Sequence, residues 1–117
     1  MIVTRRLTMT SADQNSRVEL LTRACASTRS ILEHVTREQL ADPTPCREWL
    51  VRHLINHVVG ATQFFADLAE QGFSPEDEAW PDYADGDFTT AFGQQVRRAV
   101  AGEIGRASCR ERVCYVV

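Results

Sequence analysis

Apolar and polar positions in the first third of the chain alternate at intervals of three and four residues. This spacing places one set of small or apolar side chains on a single helical face, so it predicts an amphipathic α-helix from about residue 13 to residue 36. The face consists of Val18, Leu21, Cys25, Thr28, Leu32 and Val35. We expect this helix to end before Pro43, because proline disfavours the helical conformation of the residue that precedes it.

A second helical pattern follows Pro43. Thr44 is a residue type that caps helices and Pro45 suits the first helical position, so we predict that the helix begins there and ends near Gly72. Its predicted core stripe is Leu50, Leu54, His57, Ala61, Phe64 and Leu68. The stripe therefore contains one histidine among leucines and other apolar residues.

A third helix is predicted after an acidic, turn-rich stretch at residues 74–87, which we interpret as a solvated connection. Asp87 is its expected cap, and its apolar positions are Phe88, Phe92, Val96 and Ala99. No segment alternates clearly enough to predict a strand. The expected fold is all-α, an up-and-down four-helix bundle with three helices present and the fourth missing. The place of the fourth helix would be an apolar groove.

The two ends of the chain differ from the part between them. Residues 103–113 resemble the translation of a common sequencing-adapter sequence in a single reading frame. We therefore divide the chain into an extended or disordered N-terminus at 1–12, an incomplete helical domain at 13–102 and a non-native tail at 103–117.

Composition narrows the function. A chain of 117 residues with 44% hydrophobic residues is long enough for one domain, and its net charge of −3 gives no reason to expect a nucleic-acid partner. No apolar run approaches the roughly 20 residues that span a bilayer, and no signal peptide is recognisable, so we expect a cytoplasmic protein without a membrane partner. The four cysteines lack zinc-ribbon spacing and are interpreted as free thiols.

His53 and His57 are the candidate metal ligands, with His57 the stronger of the two. They lie four residues apart, a spacing that puts two rings on neighbouring turns of one helical face. For His57, spacing alone leaves metal ligation and a hydrogen-bonded core histidine open, whereas His53 also suits a solvated edge position. Asn56 is interpreted as a surface or capping residue.

Cys46 is predicted in the first turn of the second helix, where it is either a thiol activated by the helix dipole or a small buried residue. Trp49 is expected to pack at the helix entry, and Cys25 to behave as a small hydrophobe in the first helix.

The motif Thr44-Pro45-Cys46-x-x-Trp49, followed by Val51-Arg52, Leu54 and 56–60 (Asn-His-Val-Val-Gly), resembles the DinB-like superfamily. The resemblance is to its mycothiol-dependent maleylpyruvate isomerase metal-binding N-terminal domain and extends over residues 15–102. It implies a four-helix bundle that holds a divalent metal, zinc or nickel, through His57 and further ligands on the last helix. His53 and Leu50 stand where the family more often has an acidic residue and threonine.

The resemblance also implies an activity for the parent protein. In family enzymes the metal activates a low-molecular-weight thiol, with mycothiol as cosubstrate, toward an electrophilic substrate. The parent would be a thiol-dependent transferase or isomerase, whereas we expect this fragment to be inactive and to bind metal weakly. The parent protein could also form a homodimer. The alternative is a non-catalytic helical bundle that binds a partner or small ligand, with His57 a structural core residue.

Overall fold

The computed structural model describes residues 11–75 and 79–114, and the side chains of residues 12–75 and 79–105. Three α-helices account for most of it: α1 is Ser11–Glu33, α2 is Val51–Gln71 and α3 is Phe88–Cys114. Two short 3₁₀ helices, Glu38–Ala41 and Tyr83–Asp85, lie in the connections. No strand of a sheet occurs in these ranges, which confirms the all-α prediction.

The first and third helices match their predicted patterns. Leu32 of α1 packs in one core with Phe88 and Phe92 of α3, and the predicted α1 positions are all buried or half-buried. Asp87 caps α3 as predicted, because its carboxylate accepts hydrogen bonds from the Thr90 backbone N–H at 3.1 Å and from the Thr90 hydroxyl at 2.7 Å. These bonds lower the pKa of the Asp87 carboxyl, with the hydroxyl bond the larger cause. α3 continues as a helix through residues 103–114, for which the sequence showed no helical period.

The predicted start of α2 at Thr44 and Pro45 is wrong. The helix begins at Val51, and residues 43–50 form a turn closed by an antiparallel bridge between Pro43 and Leu50. The Thr44 hydroxyl accepts a hydrogen bond from the Cys46 N–H at 3.1 Å, as a capping residue would, but the chain turns back instead of continuing as a helix. Threonine favours such local turns as readily as helix caps, so the sequence pattern fits both. The predicted end is confirmed, because Gly72 takes the left-handed conformation with φ of 83°.

The predicted core stripe of α2 is also wrong. The apolar side chains of α2 that are buried, on the side that packs on α3, are Ile55, Val59, Ala66 and Ala69. Leu54, His57 and Phe64 of the predicted stripe lie on the opposite side of the helix and are exposed, whereas Ala61 and Leu68 are half-buried. The apolar residues of α2 cover an arc wider than one stripe, from Val59 round to Phe64, so periodicity alone could not identify which part of that arc meets α3.

The helix directions follow from the contacts between their ends. Near their N-termini, Ile55 of α2 and Phe88 of α3 share the core, and near their C-termini Gly102 of α3 lies against Ala69 of α2. α2 and α3 are therefore parallel, whereas α1 runs opposite to both. The bundle alternates direction between α1 and α2 as predicted but not between α2 and α3, because the long connection returns along α2 before α3 begins.

That connection is attached to α2 and is not simply a solvated loop. The Asn56 amide oxygen accepts a hydrogen bond from the buried Ala84 N–H at 2.8 Å, and its amide nitrogen donates to Asp82 at 2.9 Å. Trp80 covers Gly60 so closely that a Cβ there would lie 2.1 Å from the indole ring. The connection thus shields one side of α2 and leaves the face with His57 uncovered.

Candidate functional site

The side of α2 that carries His57 has no acidic or arginine side chain. The helix has three such residues, and each is paired elsewhere. Asp67 and Glu70 both accept hydrogen bonds from Arg98 of α3 at 2.7 Å, and Arg52 lies 3.9 Å from Asp82 of the connection. Exposed apolar side chains instead occupy the outward face, among them Leu54 and Phe64. Apolar surface of this kind marks a place where something binds or packs.

His57 lies in the middle of this outward face. Its ring is exposed and sits against the Trp49 indole, with ring centroids 5.1 Å apart and the planes tilted by 54°. Within the described residues no hydrogen bond engages its ring nitrogens. The location does not fit a core histidine, since the side chain is at the surface. In the neutral imidazole one ring nitrogen then has a lone pair available to a ligand.

His53 has a local structural role. Its Nδ1 accepts a hydrogen bond from the Leu50 backbone N–H at 2.9 Å, just before the first turn of α2. The bond satisfies one N–H at the helix start, as the third helical residue does in a capping box. It fixes the ring with Nδ1 occupied, so that only Nε2 could reach a metal.

Cys46 does not lie where the sequence placed it. It is exposed in the 43–50 turn, outside the helix, so the argument from the helix dipole does not apply and the buried interpretation is wrong. Cys25 fits its interpretation as a small hydrophobe, because burial raises the pKa of its thiol and keeps it protonated.

An open apolar cleft of about 550 Å³ lies between the three helices. Both α1 and α2 pack on α3, and the cleft separates them. Its walls include Leu21 and Cys25 of α1, Val58 and Phe65 of α2 and Val96 of α3. His57 is not among the residues that line this cleft.

The described residues do not assemble a metal site. Among the side chains of residues 12–75 and 79–105, no group of three or more histidines, cysteines, aspartates or glutamates could hold a metal ion. A catalytic zinc site normally has three protein ligands. The structure therefore offers His57 as one candidate ligand and does not bring the others to it.

Sequence analysis missed two relationships around this site. The first is the Trp49–His57 contact, which joins residues eight positions apart across a turn that was predicted to be helix. Had that turn been assigned correctly from the sequence, the contact could have been predicted. Asn56 bonds to residues 26 and 28 positions later, for which the local sequence carries no signal.

Comparison with known proteins relates the chain to one family. The family described as the mycothiol maleylpyruvate isomerase N-terminal domain matches residues 21–111. Two uncharacterized proteins of Mycobacterium tuberculosis, from the CDC 1551 and H37Rv strains, are each 36% identical over 75 residues, which is 64% of this chain. The chain spans 37% of the length of each of these relatives. No solved structure matches significantly. Among the described helices, none is both long and apolar enough to cross a membrane.

Proposed function

Because the chain belongs to the mycothiol maleylpyruvate isomerase N-terminal domain family, we propose that it is part of a protein that binds a divalent metal and acts on a thiol, with His57 as one metal ligand. The metal would be zinc or nickel, and the thiol mycothiol. The whole protein would be a cytoplasmic thiol-dependent transferase or isomerase with a small electrophilic substrate.

The observation that carries this proposal is the position of His57. An imidazole without a hydrogen-bond partner among the described residues lies at the surface of an otherwise apolar helix face. A neutral imidazole there is a competent ligand for zinc or nickel. The lack of neighbouring arginine side chains on that face removes a source of repulsion against a cation.

The residues described here do not by themselves fit a complete metal centre, since they supply one ligand where about three are needed. We therefore propose that the remaining ligands come from parts of the protein outside the described residues. The chain of 117 residues should bind divalent metal weakly, and we assign it no catalytic step.

Metal analysis of the whole natural protein tests the proposal. We expect zinc or nickel in stoichiometric amount, lost in His57→Ala and retained in His34→Ala. His34 is a matched control because it is also exposed, and its Nδ1 is within 2.6 Å of the Ser30 carbonyl oxygen on α1. A metal-free whole protein, or one that keeps its metal in His57→Ala, would contradict the proposal. Tight stoichiometric binding by the 117-residue chain would refute the incomplete-site argument.

A second candidate function is a non-catalytic bundle that binds a partner or a small apolar ligand. The apolar cleft between the helices favours it, because its volume of about 550 Å³ lies within the range of small-molecule pockets. This candidate predicts a whole protein without bound metal and with unchanged ligand binding in His57→Ala. The metal analysis therefore separates the two candidates.

A further inference from the structure

The turn before α2 holds the backbone of Trp49 on both sides. The Trp49 N–H donates to the Cys46 carbonyl at 3.0 Å, and the Trp49 carbonyl accepts from the Thr44 N–H at 3.2 Å and from the Thr44 hydroxyl at 2.7 Å. The Pro43–Leu50 bridge closes the same turn. Trp49 is thus fixed in its backbone although its side chain is 37% exposed.

This fixed residue lies against the proposed ligand. The Trp49 ring meets the His57 ring at 5.1 Å, within the distance at which tilted aromatic rings attract one another. An exposed histidine with no hydrogen bond would otherwise sample several rotamers. The aromatic contact favours the rotamers in which the imidazole stays beside the indole.

The arrangement also explains the motif in a way that its sequence alone did not. Thr44 and Cys46 do not begin the helix, because they lie in the turn and contact Trp49 through their backbone or hydroxyl groups. The spacing of Thr44 and Trp49 is the spacing that closes this turn. The motif therefore places the indole just before the start of α2, against His57, which lies about two helical turns further along.

We propose that Trp49 is a positioning residue that orients the His57 imidazole, and that the Thr44 hydroxyl acts on His57 through Trp49. The link to a ligand role for His57 rests on the proposed function, whereas the orientation of the ring does not. Outer contacts of this kind keep a metal-binding histidine in its productive orientation.

Proton NMR of the 117-residue chain tests the orientation without any metal. The indole ring current shifts the carbon-bound ring protons of a histidine held beside it. We expect Trp49→Leu to move the His57 ring-proton shifts toward those of a free histidine and Trp49→Phe to restore part of the displacement. Phe73→Leu is the control, since Phe73 is an exposed aromatic residue beyond the C-terminal end of α2 and should leave the His57 signals in place.

Thr44 supplies a second test that keeps the indole itself. We expect Thr44→Val to reduce the ring-current shift of His57 because the 2.7 Å bond to the Trp49 carbonyl is lost, and Thr44→Ser to retain it. Circular dichroism verifies that each variant is folded. Unchanged His57 shifts in folded Trp49→Leu, or equal shifts in Thr44→Val and Thr44→Ser, would overturn the proposal.

Metal affinity of the whole protein then tests the link to function separately. Trp49→Leu should weaken zinc or nickel binding by about tenfold, the lower end of the effect of substituting a residue that orients a metal ligand. A protein with the expected ring-current changes but no metal would refute the proposed function and leave the orientation standing. A metal-binding protein whose affinity and His57 shifts are both unaffected by Trp49→Leu would refute the positioning role alone.

Discussion

Removal of the Asn56 side chain should detach the 80–86 connection from α2. In Asn56→Ala, the N–H of Ala84, a residue that is 0% exposed, loses its acceptor, and Asp82 loses a donor. A buried donor left without a partner costs about 1–3 kcal/mol, and an exposed hydrogen bond contributes about 0.5 kcal/mol. We therefore expect the free energy of unfolding to fall by about 2 kcal/mol.

Urea unfolding followed by circular dichroism measures this change, provided that the slope with urea concentration stays the same as in the unsubstituted chain. A loss of about 2 kcal/mol corresponds to a decrease in Tm of roughly 8 °C for a domain of this size. Both measurements use the chain of 117 residues.

Two further variants at the same site act as controls. Asn56→Asp keeps an acceptor for Ala84 but places a carboxylate against Asp82, and like charges about 4 Å apart repel by about 1 kcal/mol even in water. Adding Asp82→Asn to that variant restores a donor and an acceptor with their positions exchanged. The double variant should therefore recover most of the stability lost in Asn56→Asp.

Two results would refute this reasoning. A loss in Asn56→Ala below about 0.5 kcal/mol would mean that the Ala84 N–H finds water or another acceptor easily. A double variant no more stable than Asn56→Asp alone would mean that residues 56 and 82 do not interact directly.

Five other substitutions should have predictable effects on stability, each measured by chemical unfolding. Gly102→Ala should destabilise the chain by about 1 kcal/mol despite the better helix propensity of alanine, because the new Cβ would lie 2.8 Å from the α2 backbone. Gly105→Ala is the matched control: its Cβ would point into open space, so it should stabilise the chain by about 0.5–1 kcal/mol. Phe92→Ala should cost about 3–5 kcal/mol, whereas Phe65→Ala, at a side chain that is 61% exposed, should cost less than about 1 kcal/mol. The hydrogen bond from the Arg98 guanidinium lowers the pKa of the Glu70 carboxyl below its usual 4.5. The Arg98–Glu70 pair should therefore stabilise the fold above pH 4.5, and this stabilisation should be lost as the pH falls through the lowered pKa. Glu70→Gln should remove this part of the acid dependence, and an unchanged acid profile would contradict the reasoning.

The prediction of α1 and α3 succeeded because each of these helices, over the region predicted, has apolar positions that recur at helical spacing on one face. Leu32 and Phe92 lie on these faces and are buried, although α1 also carries the exposed Leu20 and Ile31, and Asp87 precedes α3 with a side chain suited to its cap. In such segments the hydrophobic effect and local hydrogen bonding favour the same structure, so local sequence is sufficient.

The prediction of α2 failed at its start and at its core face for different reasons. The hydrogen bonds of Thr44 satisfy a tight turn as well as they would a helix start, and the choice depends on the Pro43–Leu50 bridge. The core face was ambiguous because Val59 and Phe64 are both strongly apolar yet lie on opposite sides of the helix. Only the position of α3 selects one of them.

For the candidate site, the sequence by itself determined the family, the residue type of the possible ligand and its place on the second helix. It did not determine the environment of His57, because that environment is made by a turn and by the side of α2 that α3 leaves uncovered. Local hydrogen bonds and the spacing of apolar positions depend on residues close together in the sequence, so they can be predicted from it. The choice among several apolar faces depends on contacts between residues far apart in the chain, so only the tertiary structure decides that His57 is left at the surface beside Trp49 and not buried in the core.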